Sequence, residues 1–97
     1  MYNSWYLYKL DNLKSINQSK EIPWFSDLNS YKSAGYYHVG SHSHQCTNVP
    51  DEAKNIIFYL IVFEAFYSYQ IMIPYRSHMY FRIFNADYNI WDPWKQL

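Results

Sequence analysis

The sequence predicts a mainly β fold: a small antiparallel β-meander or sandwich-like knob domain with little helix. Three observations carry this expectation. Side chains alternate between two faces with a period of two through 66–73 and 78–84. Aromatics make up 23% of the chain and, with β-branched residues, crowd the same stretches, which is strand composition. Short polar or proline-containing segments separate these stretches at hairpin spacing.

Residues 1–25 read as an N-terminal arm or attachment segment, with an ordinary edge element of the same domain as the other reading. Trp5-Tyr6-Leu7-Tyr8-Lys9-Leu10 fits a short strand, while Leu7, Leu10 and Leu13 fit a helical stripe equally well. Ile22-Pro23 favours extended backbone, because the residue before proline avoids the α region. The β-domain proper is expected over 26–97. Ser26-Asp27-Leu28-Asn29-Ser30 starts a turn or a single helical turn through side-chain bonds to backbone amides. Ala34-Gly35 turns the chain into a short strand at Tyr36-Tyr37-His38-Val39, and 40–51 is a polar loop. The continuous apolar run over 55–63 reads as a strand covered on both faces. Glu64-Ala65 makes a tight hairpin by length. In the next strand Tyr67, Tyr69, Ile71 and Ile73 share one face. Pro74-Tyr75-Arg76-Ser77 is a four-residue turn with Pro at its second position. The following strand sets Met79, Phe81 and Ile83 against Tyr80, Arg82 and Phe84. A polar turn over 85–89 leads to a last strand over 90–97.

The bulk composition narrows the function classes. Ninety-seven residues make one domain with a shallow core. Charged residues are only 16%, and the twelve Tyr either fill strands or present contact area with few rotamers to freeze. A formal net charge of zero, with the basic residues scattered, argues against nucleic-acid binding. The start of the chain is not a signal peptide by pattern. The longest apolar run, over 56–63, is far below the ~20 residues a membrane-spanning helix needs. The expectation is therefore a protein made as a soluble chain, without membrane insertion. One cysteine, Cys46, excludes an internal disulfide.

The landmarks come in a recognisable order: Asp27-Leu28-Asn29, Gly35-Tyr36-Tyr37, Asn48-Val49-Pro50, an apolar strand, Gln70, Tyr80-Phe81-Arg82, and Trp91-Asp92-Pro93-Trp94-Lys95-Gln96-Leu97. Over about residues 26–97 this series resembles the knob-type domain of bacteriophage tail fibres and R-type pyocin fibres. That family runs through "DLN", "GxY", "NxP", a strand with Gln, "YxR" and a closing "WxxWxxL". Two stretches depart from it. A His-rich run precedes Asn48, where the family has a small apolar residue, and Asp87-Tyr88-Asn89 replaces a Gly-containing turn. The resemblance implies a homotrimeric, virion-located module for host-surface attachment, in contact with other virion proteins and without catalytic activity. A structural fibre or head-decoration protein and a free-standing module for a glycan are the alternatives.

Several residues are candidates for chemistry. Trp91 and Trp94 either form a sugar platform or, as the favoured reading, latch the last strand onto the sheet, with Arg82 pairing with Asp92 or stacking on a Trp. Gln70, mid-strand between apolar residues, is expected to bond backbone. Tyr36, His38, His42, His44, Tyr67 and Tyr80 are the candidate ligand-binding residues. His42 and His44, two apart in an extended segment, point the same way, and three chains would offer six imidazoles to a transition metal. The competing reading is a solvated Ser- and His-rich loop, and no cofactor is expected otherwise. Cys46 lacks an orienting group for nucleophilic work. Asp51 and Glu52, adjacent in sequence, do not face each other as a catalytic carboxylate pair would. With two glycines there is no phosphate loop.

Overall fold

The computed structural model describes residues 19–40 and 45–97. It is mainly β, with no helix longer than a 3-10 turn among these residues. The strands are β1 (Lys20–Glu21), β2 (Gly35–Val39), β3 (Phe58–Ala65), β4 (Tyr67–Pro74), β5 (Tyr80–Asn85), β6 (Ile90–Trp91) and β7 (Lys95–Gln96). They form one seven-stranded sheet in the order β1-β2-β3-β4-β5-β6, with β7 also pairing β5. The strands from β2 to β5 pair antiparallel; short connections dictate this for β3–β4 and β4–β5, while β2 and β3 are joined by the long segment 40–57. The edge departs from a pure antiparallel order: β1 lies parallel to β2, Lys20 opposite Tyr37 and Glu21 opposite His38. The intervening chain folds back across the sheet, so β1 enters in the same direction as β2. Lys20-Glu21-Ile22, expected within the arm of 1–25, therefore belongs to the sheet, and Ile22 is fully buried.

The inner face of the sheet holds Val39, Phe58, Leu60, Val62, Met72 and Tyr80. The cover over it is not a second sheet but two loop segments. They supply Ile22 and Leu28 on one side, and Cys46, Val49 and Ala53 on the other. Each segment is stiffened by a 3-10 turn, Leu28–Ser30 and Asp51–Ala53. A backbone bridge ties them, with Thr47 N–H donating to Ser26 C=O at 2.9 Å and Leu28 N–H to Thr47 C=O at 3.2 Å. The outer face is built from the alternate residues of the same strands. Its cross-strand rows are Tyr36–Ile61–Ile71–Phe81, His38–Tyr59–Ile73 and Phe63–Tyr69–Ile83. The Phe63 and Tyr69 rings stack at 4.9 Å.

The β3–β4 turn is tighter than Glu64-Ala65 would make it. Ala65 pairs with Tyr67 and Phe66 alone turns the chain, at φ 69°. A left-handed conformation costs a side-chain-bearing residue about 1–2 kcal/mol. Phe66 nevertheless holds it with its ring wholly in solvent, at 105% relative exposure. Leu60 sits at the middle of the inner face with no exposure. Leu60→Ala is expected to lower unfolding free energy by about 2–5 kcal/mol, read as a drop in the urea midpoint at unchanged slope.

Candidate functional site

The landmark residues, spread over some seventy positions from Asp27 to Trp94, meet at one place beneath the closing tryptophans. Asp27 caps the first 3-10 turn. Its Oδ1 accepts from Asn29 N–H at 2.9 Å and from Asn48 Nδ2 at 2.6 Å. Leu28 drives into the core. The carbonyls of this turn then serve as acceptors. Gln70 Nε2, fully buried on β4, donates to Leu28 C=O at 2.7 Å and to Tyr31 C=O at 2.9 Å. Trp91 Nε1 donates to Asn29 C=O at 2.9 Å, and Trp94 Nε1 to Asn48 C=O at 2.8 Å. Asn48 adopts φ 62°, a conformation asparagine tolerates better than most residues.

Arg82 stands at the centre, 5% exposed. Its Nε donates to Gln70 Oε1 at 2.8 Å. Its guanidinium lies 4.5 Å from the Trp91 ring and 4.3 Å from the Trp94 ring, so the cation is sandwiched between two indoles. The β6–β7 segment has one residue more than β5 between the Phe84–Trp91 and Tyr80–Gln96 pairs, and that extra residue lets both tryptophans, three apart in sequence, reach Arg82. The stack continues outward: Phe84 meets Trp91 edge-on at 5.4 Å, and Lys32 Nζ lies 4.3 Å above Phe84. Burial pulls the guanidinium down to about 10, with the charge of Asp27 opposing that pull, so Arg82 is cationic at neutral pH. Burial opposes ionisation of Asp27 as well. The hydrogen bonds from Asn48, Asn29 and Thr47 and the Arg82 charge together outweigh it, and the Asp27 pKa is lowered. Asn29 Oδ1 and Arg82 Nη2 are buried with no hydrogen-bond partner among the described residues.

The "GxY" landmark has its own local reason. The Tyr37 ring folds back over Gly35, where a Cβ would stand 2.8 Å from the Tyr37 hydroxyl oxygen. Held there, Tyr37 packs edge-on against Tyr31 at 4.9 Å, whose carbonyl Gln70 uses.

The expected latch residues Arg82, Trp91 and Trp94 thus come together, with Arg82 stacking on both tryptophans. The expected ligand residues do not form one site. Tyr36 and His38 lie on the outer face, and Tyr67 is exposed beside the hairpin tip. Tyr80 is a correction: at 5% exposure it lies in the core, and its hydroxyl donates to Glu52 Oε2 at 2.6 Å. That bond, then burial, raises the Tyr80 pKa. Period-two reading put Tyr80 on the same face as Arg82, which is the buried face. His42 and His44 lie outside the described residues, as do residues 1–18. Among the described residues no group of three or more His, Cys, Asp or Glu gathers as a metal site would require.

Cys46 is buried, and its burial raises the thiol pKa despite a hydrogen bond to the Ser26 backbone, which disfavours the thiolate. Ser19 Oγ lies 2.7 Å from His38 Nδ1, but no carboxylate orients that ring among the described residues. An apolar groove of about 460 Å³ opens beside His38, between Ile57, Tyr59, Ile73 and Tyr75. Sequence reasoning missed that groove and the exposed Phe66; its only signal was a turn lacking any usual turn former. No family model, curated protein or solved structure matches the chain. The fold and the centre define its class as a single-sheet β module organised on a buried arginine. Among the described residues no helix is long and apolar enough to cross a membrane.

Two outcomes follow. Gln70→Leu, which strands Arg82 Nε and the Tyr31 carbonyl and leaves Leu28 C=O with only Tyr31 N–H, is expected to lose about 3 kcal/mol or more in urea unfolding. Adding Arg82→Met should recover part of that loss, a non-additivity that a double-mutant cycle would read. The lowered Asp27 pKa stabilises the fold fully above the ordinary value of 3.8, and this contribution is lost as pH falls through the folded value. Asp27→Asn should therefore flatten the steepest acid part of the stability–pH curve below about pH 4 and leave its slope near pH 7 unchanged.

Proposed function

We propose that this chain is a non-catalytic attachment module of the fibre-knob type, carried on a virion as a homotrimer and presented to the bacterial surface. The observation that carries this reading is convergence. Seven of the residues that make the resemblance are joined in one network: Gln70, Arg82 and Trp91 are buried at its centre, Asn29 and Trp94 are half-buried, and Asp27 and Asn48 are exposed at its edge. A centre of this kind locks loops to a sheet, which suits a module that must present a fixed shape.

The contact surface in this reading is the β3–β4 tip. Phe66 is fully exposed there in a strained backbone conformation, and Tyr67 beside it is also exposed. Strain at an exposed aromatic is maintained more readily where that residue touches a partner. The test is binding of fluorescently labelled protein to a panel of intact Gram-negative and Gram-positive cells. Phe66→Ala and Tyr67→Ala should each reduce retention on the responsive cells by about tenfold while leaving Tm near that of the parent. Absence of binding across the whole panel would overturn the attachment reading and leave a purely structural virion role.

A further inference from the structure

We infer that copies of this chain associate through the outer face of β2–β5, which becomes the buried centre of the oligomer. The inference deepens the homotrimer of the proposed function and rests on it only for the number of chains. An antiparallel sheet with one face in water carries polar side chains on that face. Here the outer rows over four strands hold no Asp, Glu, Lys or Arg. Tyr36 and Tyr59 are exposed, and Ile61, Ile71, Ile73 and Phe81 are only partly covered by their neighbours. Four strands about 4.8 Å apart, with central strands of eight residues, give roughly 500 Å² in plan. That is at the scale where an exposed apolar patch marks an interface, and ring corrugation brings it toward the ~800 Å² each partner buries in a stable pair.

The occupant is a second copy because the rims of this face complement each other. By register, Glu21 stands beside His38 at the β1 rim, and Lys95 beside Phe81 at the β7 rim. Both are exposed. The face therefore carries Glu21 at one edge and Lys95 at the other, with uncharged rows between them and Arg76 at the end of the groove beside Tyr59 and Ile73. Around a rotation axis, the β1 rim of one chain meets the β7 rim of the next, and Glu21 faces Lys95. A differently charged partner would find no matching field on this surface. Tyr36 and His38 then serve assembly, and the β3–β4 tip remains free.

Sedimentation velocity of the full chain, with far-UV circular dichroism and Tm on each variant, tests this. The parent should sediment as an oligomer. Ile71→Glu, at the centre of the face, should give a folded monomer. Tyr59→Lys, at an exposed position that does not endanger the fold, should weaken association by about tenfold or more. Glu21→Lys or Lys95→Glu should weaken association severalfold at low salt, and the two together should restore it. A monomeric parent, an oligomer indifferent to Tyr59→Lys, or a double exchange without restoration overturns the face. A dimer that these variants dissociate upholds the face and overturns the homotrimer. Cell binding of Tyr59→Lys is read separately, so loss of assembly and loss of attachment remain distinct.

Discussion

The burial of one cation organises this molecule. Taking the Arg82 guanidinium out of water carries a penalty of several kcal/mol unless its charge and its donors are met. Three separate places meet the charge and the Nε donor, while Nη2 has no hydrogen-bond partner among the described residues. β4 supplies Gln70, the last segment supplies the two indoles, and the capped turn supplies the charge of Asp27 nearby. Cation–π contacts reach about 2 kcal/mol each when desolvated, and the Arg82–Gln70 bond is charge-assisted. No single partner offsets the penalty. The arginine is stable only when the turn, the loop at Asn48, the sheet and the C-terminal segment are all in place. That makes it a device for cooperativity as much as for stability.

The inner face shows why such a device is needed. A single sheet covered by loops has little regular backbone on its covering side. Buried backbone groups in those loops would be left without partners. Here the carbonyls of Leu28, Asn29, Tyr31 and Asn48 are taken by the side chains of Gln70, Trp91 and Trp94. The same contacts that satisfy the loops also fix their position over Leu60 and Met72. A purely apolar centre would fill the space equally well but take these side-chain donors from the Asn29 and Tyr31 carbonyls.

How much of this was legible in the sequence follows from the range of each interaction. Alternation along 67–73 and 80–84 is local, so it was readable that Tyr80 and Arg82 share a face; that this face is the buried one was not, and Tyr80 was expected to bind a ligand. Asp27 followed by Asn29 announced a capped turn for the same reason. The parallel β1–β2 pair was not readable. It joins Lys20 to Tyr37 across an intervening cover segment, and a two-residue strand leaves no periodic trace. The β3–β4 tip was misread because Phe66 defies turn chemistry: a left-handed residue there predicts Gly or Asn. Trp91 and Trp94 were ambiguous for a geometric reason. Three-residue spacing sets them on opposite sides of a strand, and only the extra residue of the β6–β7 segment makes a clamp of them. Gln70 was expected to bond backbone and does, but its second role as acceptor for Arg82 depends on register between β4 and β5, which a sequence does not display.

The two faces of the sheet therefore answer different constraints. On the inner side, polar groups are few and almost fully matched, so the fold of one chain is specified from within. On the outer side, the rows through Ile61 and Ile71 are as apolar as a core but have no covering layer among the described residues. Evolution of a surface facing water would place at least one charge in the middle of those rows, because doing so is nearly free there and protects against association. Charges appear instead around those rows: Glu21 and Lys95 at the two rims, and Arg76 beside Tyr59 and Ile73 at one end. Opposite charges at the two rims suit a contact in which the edge of one chain meets the other edge of a neighbour.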